Sequence, residues 1–242
     1  FVVVDDPQIV ISEKYILVEN VLDCLQKLAW FHRKKLNIPV LAITGSNGKT
    51  TTKELCRDVL RNKYLTKATE GNLNNHIGVP LTILSTLPSV EFLIVEMGAN
   101  HQGEIDFLCN IAEPTFVFIT NIGKAHMEGF GGIEGIKKGK TEMYRYAALH
   151  NATIFSNLDD EILPSFIPNG CNVAKFSTNN LVKVIHEHPF ITFEYLHKEV
   201  KTRLYGSYNT PNIAFAIAVG EYFGVNSNDM IKAIEAYEPE NN

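Results

Sequence analysis

The sequence has no cysteine pair. Its four cysteines, Cys24, Cys56, Cys109 and Cys171, stand far apart. That pattern excludes a disulfide framework and a cysteine-based zinc site, and it reads as reduced thiols in a cytoplasmic protein. No apolar run approaches the ~18 residues of a membrane span. No secretory leader pattern is present. Basic charge is not in excess: 22 Lys and Arg stand against 27 Asp and Glu, for a net charge of −5. That balance argues against a nucleic-acid backbone as partner. Internal repeats and low-complexity tracts are absent too. There is no initiator Met; the chain begins inside the apolar run Phe1–Val4, and a fragment of a longer chain is expected. What remains is 242 residues, 45% hydrophobic and 20% charged. This is an ordinary globular composition with room for a substantial core.

Strand and helix patterns alternate through the first two thirds. Residues 20–35 carry Val21, Leu22, Leu25, Leu28 and Ala29 at helical spacing. Residues 39–43 read as a short buried strand, and residues 49–61 as the helix after it. Phe92–Val95 and Phe116–Ile119 are further buried strands, followed by a helix over 132–148 and a strand over 153–155. The alternation predicts an α/β fold, a mostly parallel sheet flanked by helices and carrying a P-loop. From about Asn172 the pattern changes. Residues 173–176, 182–186, 190–195 and 200–204 are short and β-rich, which predicts a small antiparallel β flap. Helices are expected over 210–223 and from Ser227, read as an N-cap, to about Tyr237.

The stretch ITGSNGKTTTKE, residues 43–54, invites comparison with a phosphate loop, yet one glycine is missing. The usual spacing places a Gly five residues before Gly48. That position is Ile43, and the nearby glycine is Gly45. The chemistry still suits phosphate. Gly45 and Gly48 allow close backbone approach. Backbone amides at the start of the following helix can hold phosphate oxygens. Lys49 can neutralise them, and Thr50 can ligate Mg²⁺. The alternative is a plain strand–turn–helix with an N-terminal threonine cluster.

Other candidates also follow strands, where an open α/β sheet binds ligands. Glu96 closes FLIVE and suits a hard cation; the alternative is a carboxylate paired with a nearby helix end. His126 in TNIGKAHMEGFGG is the best placed of eight histidines, ahead of His76 and His101. A lone histidine is otherwise a structural residue. Asn72, Asn74 and Asn75 can grip phosphate or sugar, or cap the next helix. Lys140, beside Lys137 and Lys138, reads by itself as part of a solvated basic face.

Taken together, the stretches ITGSNGKTTTKE, GNLNNHIGVPLT, VEMGANHQGEI, IAEPTFVFITNIGKAHMEGFG, KGKTEMY and SYNTPNIAFAIA resemble the Mur ligases, from about residue 20 onward. Residues 44–50 spell that family's shortened loop, TGxxGK[ST]. Within the family the likeness is to the MurF type, which adds D-alanyl-D-alanine to UDP-N-acetylmuramoyl-tripeptide. The resemblance implies ATP phosphates on Gly45, Ser46, Asn47, Gly48, Lys49, Thr50 and Thr51. It implies one Mg²⁺ on Thr50 and Glu96 and a second held by His126, with Lys140 carbamylated. Lys49, His126 and Lys140 become the catalytic set. Asn209 and Asn212 face adenine, and Asn72, Asn74 and Asn75 face the UDP-muramoyl peptide. The implied protein is monomeric and cytoplasmic. Residues 1–18 are expected to end an N-terminal UDP-sugar domain, and residues 19–242 to form the central ATP-binding domain. A C-terminal Rossmann-like domain is expected outside this chain, so the fragment by itself is expected to be inactive as a ligase. The sequence departs from the type at His76, where an acid is common, and at Tyr208, where a His is common. Alternatives are a sister ligase adding the third stem residue, a folylpolyglutamate-synthase-like ligase, and a non-catalytic ATP-binding regulatory module.

Overall fold

A computed structural model describes residues 1–124 and 127–239. The strands Val2–Val4 (β1) and Tyr15–Leu17 (β2) pair in parallel as a small sheet of their own. The helix Val21–Lys35 (α1) follows, capped by the Asn20 side chain, which accepts from the Asp23 amide at 2.9 Å. Next come Val40–Thr44 (β3), Lys49–Leu60 (α2), Thr66–Ala68 (β4), Gly78–Leu84 (α3) and Phe92–Glu96 (β5). Glu104–Ala112 (α4), Phe116–Ile119 (β6), Met127–Phe130 (α5), Ile133–Lys140 (α6), Glu142–His150 (α7) and Thr153–Asn157 (β7) continue the chain. The last third holds Val173–Phe176 (β8), Thr178–Leu181 (α8), Lys183–His186 (β9), Thr192–Tyr195 (β10), Lys198–Lys201 (β11), Thr210–Tyr222 (α9) and Ser227–Ala236 (α10).

The main sheet has six strands in the order β4-β5-β3-β6-β7-β8, and every described pairing in it is parallel. Its central strands are near-continuous apolar runs because both faces are covered. Alternation divides them. Leu41, Ile43, Phe92, Ile94 and Phe118 point to a core shared with α2, α9 and α10. Val40, Ala42, Leu93, Val95, Val117 and Ile119 point to a second core shared with α1, α3, α4 and α7. Helix α9 is apolar all round, and Phe215 lies stacked on Phe118 with ring centroids 3.6 Å apart.

The chain leaves β3, runs out to the β4 edge, returns to β5 and then crosses to β6. Strand order therefore reverses around β3, and the carboxyl ends of β5, β3 and β6 flank a crevice where such sheets bind ligands.

Three expectations need correction. The strand at 173–176 is not part of the flap. It pairs in parallel with β7, Ile154 opposite Val173, and closes the edge of the main sheet. The flap is the three-stranded antiparallel sheet β9–β10–β11. The helix expected over 132–148 is two helices that meet at Thr141, whose backbone sits at φ −76° and ψ 0°. The cap of α10 is Asn226, whose side chain accepts from the Asn228 amide; Ser227 is the first helical residue.

Because Phe215 fills the space between α9 and the sheet, Phe215→Ala is expected to destabilise the fold by about 3–5 kcal/mol. Urea unfolding checks this, and a loss under 1 kcal/mol contradicts the packing described.

Candidate active site

Two glycines shape the loop between β3 and α2. Gly45 has φ +145°, and a Cβ there would sit 1.9 Å from Thr120 Oγ1. Gly48 has φ +75°, and a Cβ there would sit 2.7 Å from Asn212 Oδ1. Both positions therefore exclude a side chain by crowding as well as by backbone angle. The end of β6 grips the loop from one side. The Asn47 amide donates to Asn121 Oδ1 at 3.1 Å, and the Asn47 carbonyl accepts from Asn121 Nδ2 at 3.0 Å and Thr120 Oγ1 at 2.6 Å. Ser46 Oγ donates to the Gly123 carbonyl and accepts from the Gly123 amide. From the other side, Thr52 Oγ1 donates to Asn212 Oδ1 at 3.1 Å, and Asn212 Nδ2 donates to Asn209 Oδ1 at 2.9 Å. Thr52 thus does more than fill the first turn of α2.

Lys49 opens α2 and folds back over the loop, donating to the carbonyls of Gly45 at 2.9 Å and Ser46 at 3.3 Å. Burial lowers its pKa, and Glu96 opposes that shift. Thr50 and Thr51 are half-buried in the same turn.

Glu96 is the last residue of β5, paired in register with Ile43. It is 1% exposed. Asn74 Nδ2 donates to Oε1 at 2.8 Å, while Oε2 lies 3.6 Å from Lys53 Nζ and has no hydrogen-bond partner. An anionic oxygen left so fits a hard cation. Among the described residues, no group of three or more His, Cys, Asp or Glu gathers into a cage. The donors instead suit an ion that shares its shell with phosphate and water, as Mg²⁺ does.

Lys140 is the clearest reversal of a residue-level expectation. It is not on a solvated face. It is 2% exposed, its Nζ is 3.4 Å from the Ala99 carbonyl, and it lies 5.4 Å from the Phe130 ring centroid. Burial and the positive charge of Lys49 push its pKa down to about 8, against the pull of Glu104 and Glu142. Both carboxylates brace the loop before α4. Glu142 accepts from the amides of Gly103 and Asp106, and Glu104 from those of Asn100 and His101.

A cleft of about 380 Å³ opens between Lys49, the 72–76 loop and residues 98–108. Asn72, Asn74 and Asn75 all line it. Asn75 also caps α3, accepting from the amides of Ile77 and Gly78, so the capping alternative holds for its side chain. A second cleft of about 360 Å³ lies beyond Asn121 and is lined by Asn157, Tyr208 and Asn212, among others. Asn209 is buried behind Asn212 and bonds the Tyr205 carbonyl. His126 lies outside the described residues. Sequence reasoning missed Thr120 and Lys53. Lys53 carried a signal, since it follows Lys49 by one helical turn on the same face.

A glycine loop and its lysine at the reversal point of a parallel sheet, with a buried carboxylate at the end of the neighbouring strand, define a P-loop-type α/β domain. Residues 43–220 match the Mur ligase middle domain, and the chain belongs to that family. The UDP-N-acetylmuramoyl-tripeptide–D-alanyl-D-alanine ligase of Bacillus subtilis (strain 168) is 35% identical over 226 residues, covering 90% of this chain and 49% of that protein. The crystal structure of MurF from Acinetobacter baumannii superposes with a TM-score of 0.84 at 29% identity, over 99% of this chain and 55% of that one. The MurF ligase of Thermotoga maritima, solved in complex with ADP, superposes with a TM-score of 0.81 at 31% identity, over 98% and 57%. The chain thus spans about half the length of these relatives.

The depressed pKa of Lys140 has a measurable sign. Below pH 8 the amine is protonated in folded and unfolded chains alike, so its burial cost is constant. Between about 8 and its ordinary 10.5, the unfolded chain holds a proton that the folded chain has released. Stability should therefore rise with pH across that window, by up to roughly 3 kcal/mol. Lys140→Met is expected to remove the rise. Urea unfolding of both proteins across the window checks this, and parallel profiles contradict it.

Proposed function

We propose that the chain carries the ATP-binding centre of an amide ligase. The reaction is the joining of D-alanyl-D-alanine to UDP-N-acetylmuramoyl-tripeptide in peptidoglycan synthesis, with ADP and phosphate as products. The observation that carries the reading is electrostatic. The charges of buried Glu96 and buried Lys140 both act on that of Lys49, which lines a cleft with Asn72, Asn74 and Asn75. The similarity to the B. subtilis ligase over 90% of the chain supports the choice of substrates.

In this reading residues 19–242 are the ATP-binding unit, and residues 1–18 belong to a preceding UDP-sugar unit. The compartment is the cytoplasm, and the protein acts as a monomer. The amides of Gly48 to Thr51 and the ammonium of Lys49 hold the ATP phosphates, since the amides of Ser46 and Asn47 already donate to Asn121. The base lies on the far side of Asn121, in the cleft lined by Asn212, with Asn209 bracing Asn212 from behind. Asn72, Asn74 and Asn75 face the muramoyl peptide. Thr50 and Glu96 would hold one Mg²⁺; His126 and Lys140 would hold a second. Bound there, Mg²⁺ neutralises phosphate charge.

The peptide carboxylate attacks the γ-phosphorus, a new O–P bond forms, and the bond to ADP breaks. The amine of D-alanyl-D-alanine then attacks the acyl phosphate, and phosphate leaves. Two anions must meet in the first step. Lys49 reduces their repulsion, and a rigid loop fixes their alignment. Lys140 suits carbamylation because a pKa lowered to about 8 leaves roughly a tenth of its amine neutral at pH 7, far more than an ordinary lysine holds. The neutral amine adds CO₂ and releases a proton, which converts a buried cation into an anion able to orient metal.

The experiment is ATP-dependent phosphate release by the intact protein with UDP-N-acetylmuramoyl-tripeptide, comparing D-alanyl-D-alanine with other amines. Release should require both substrates and favour D-alanyl-D-alanine. Lys49→Ala should lower the rate by about 100-fold or more; a rate near wild type removes the loop from the mechanism. Lys140→Ala should be nearly inactive and recover partly with short carboxylates. Full activity without them returns Lys140 to a packing role.

A further inference from the structure

Lys53 is a charged side chain with no place in the mechanism above, and it is 1% exposed. It sits one turn after Lys49 in α2. Its Nζ donates to the Gly71 carbonyl at 3.2 Å and lies 3.6 Å from Glu96 Oε2 and 3.8 Å from Glu54 Oε1. Glu54 is fixed in turn, because Tyr237 OH donates to Glu54 Oε2 at 2.6 Å. Gly71 opens the loop that carries Asn72, Asn74 and Asn75. Asn74 of that loop holds the other oxygen of Glu96. Lys53 and Glu96 therefore each bond the same loop and face each other, which closes a triangle.

Burying an ammonium and two carboxylates is unfavourable unless their arrangement serves something that apolar residues could not supply. Lys53 stands between Glu96 and Glu54, within ion-pair distance of both, while Arg57 and Lys67 line the cleft beside it. At 3.6 Å Lys53 balances Glu96 without forming a hydrogen bond to Oε2, so that oxygen keeps its capacity for a metal. Lys53 does not line the cleft that Lys49 and the asparagines share. It lines a separate cleft with Glu54, Arg57 and Gly71, and its reach into the first cleft runs through Glu96 and the loop.

We propose that Lys53 is a positioning residue: it locks the cation-binding carboxylate of Glu96 and the Gly71–Asn75 loop into one arrangement, and so couples Mg²⁺ affinity to the fit of the acceptor substrate. This rests on the ligase reading above.

The test uses the intact protein and the pair Lys53→Met/Glu54→Gln, which removes one charge of each sign and keeps the net charge of the cluster. Two quantities are read besides turnover. One is the Mg²⁺ concentration at half-binding of a fluorescent ADP analogue; the other is the KM for UDP-N-acetylmuramoyl-tripeptide. Both are expected to rise by about tenfold, as for loss of a partner that orients a metal ligand. At saturating Mg²⁺ and peptide, kcat should fall less than kcat/KM. A folded variant with either the Mg²⁺ midpoint or the KM unchanged overturns the coupling and leaves the ligase reading standing. A wild-type protein that binds the nucleotide without Mg²⁺ dependence overturns both. If the double variant does not fold, Tyr237→Phe decides, since it leaves Lys53 in place and frees Glu54. A raised Mg²⁺ midpoint then supports the proposal, and an unchanged one overturns it.

Discussion

The site depends on the grip that β6 exerts on the loop after β3. A loop two residues shorter between its glycines than the usual spacing has less of its own backbone to fold against. Here the missing support comes from outside. Thr120 and Asn121 hold the amide and carbonyl of Asn47, and Ser46 trades hydrogen bonds with Gly123. Those contacts exist only because β6 pairs directly with β3, with Thr44 opposite Ile119. The strand order of the sheet and the shape of the loop are thus one constraint. Gly45 is required by the same contact, because Thr120 occupies the place of its missing side chain.

The two faces of the sheet divide the work. The face under α2 and α9 fixes the phosphate loop and, through Asn212, the start of α9. The face under α1, α3 and α4 fixes the 97–103 loop, which Glu104 and Glu142 brace by accepting backbone amides. The clefts on either side of the loop therefore rest on different cores. Strand β5, which ends at Glu96, is common to both, since its alternate side chains enter each core.

Much of this was legible in the sequence. Buried parallel strands announce themselves as apolar runs, and the loop, Glu96 and Asn121 each follow one. Short or edge elements were not legible. The strand β4 is Thr66-Lys67-Ala68, too brief to show a period, and β8, Val173 to Phe176, is as short as the flap strands. What assigns β8 to the main sheet is its partner β7, some twenty residues upstream, and no local pattern records that. Lys140 shows the same limit at a single residue. Its neighbours in the chain are basic, and its burial comes from Phe130 and the Ala99 carbonyl, which the fold brings from elsewhere. Lys53 is easily passed over, despite its spacing from Lys49, because a lysine inside a helix is ordinarily at the surface.

The hydrogen bonds of Lys49 to its own loop carry one more consequence. Its ammonium already has two carbonyl acceptors, at Gly45 and Ser46. A neutral visitor such as a nucleoside offers nothing better than a carbonyl and cannot draw the lysine away. A phosphate oxygen can, because its full negative charge adds Coulomb attraction to the hydrogen bond that a carbonyl also offers. The loop behaves as a latch that recognises charge before shape, and that yields only to an anion.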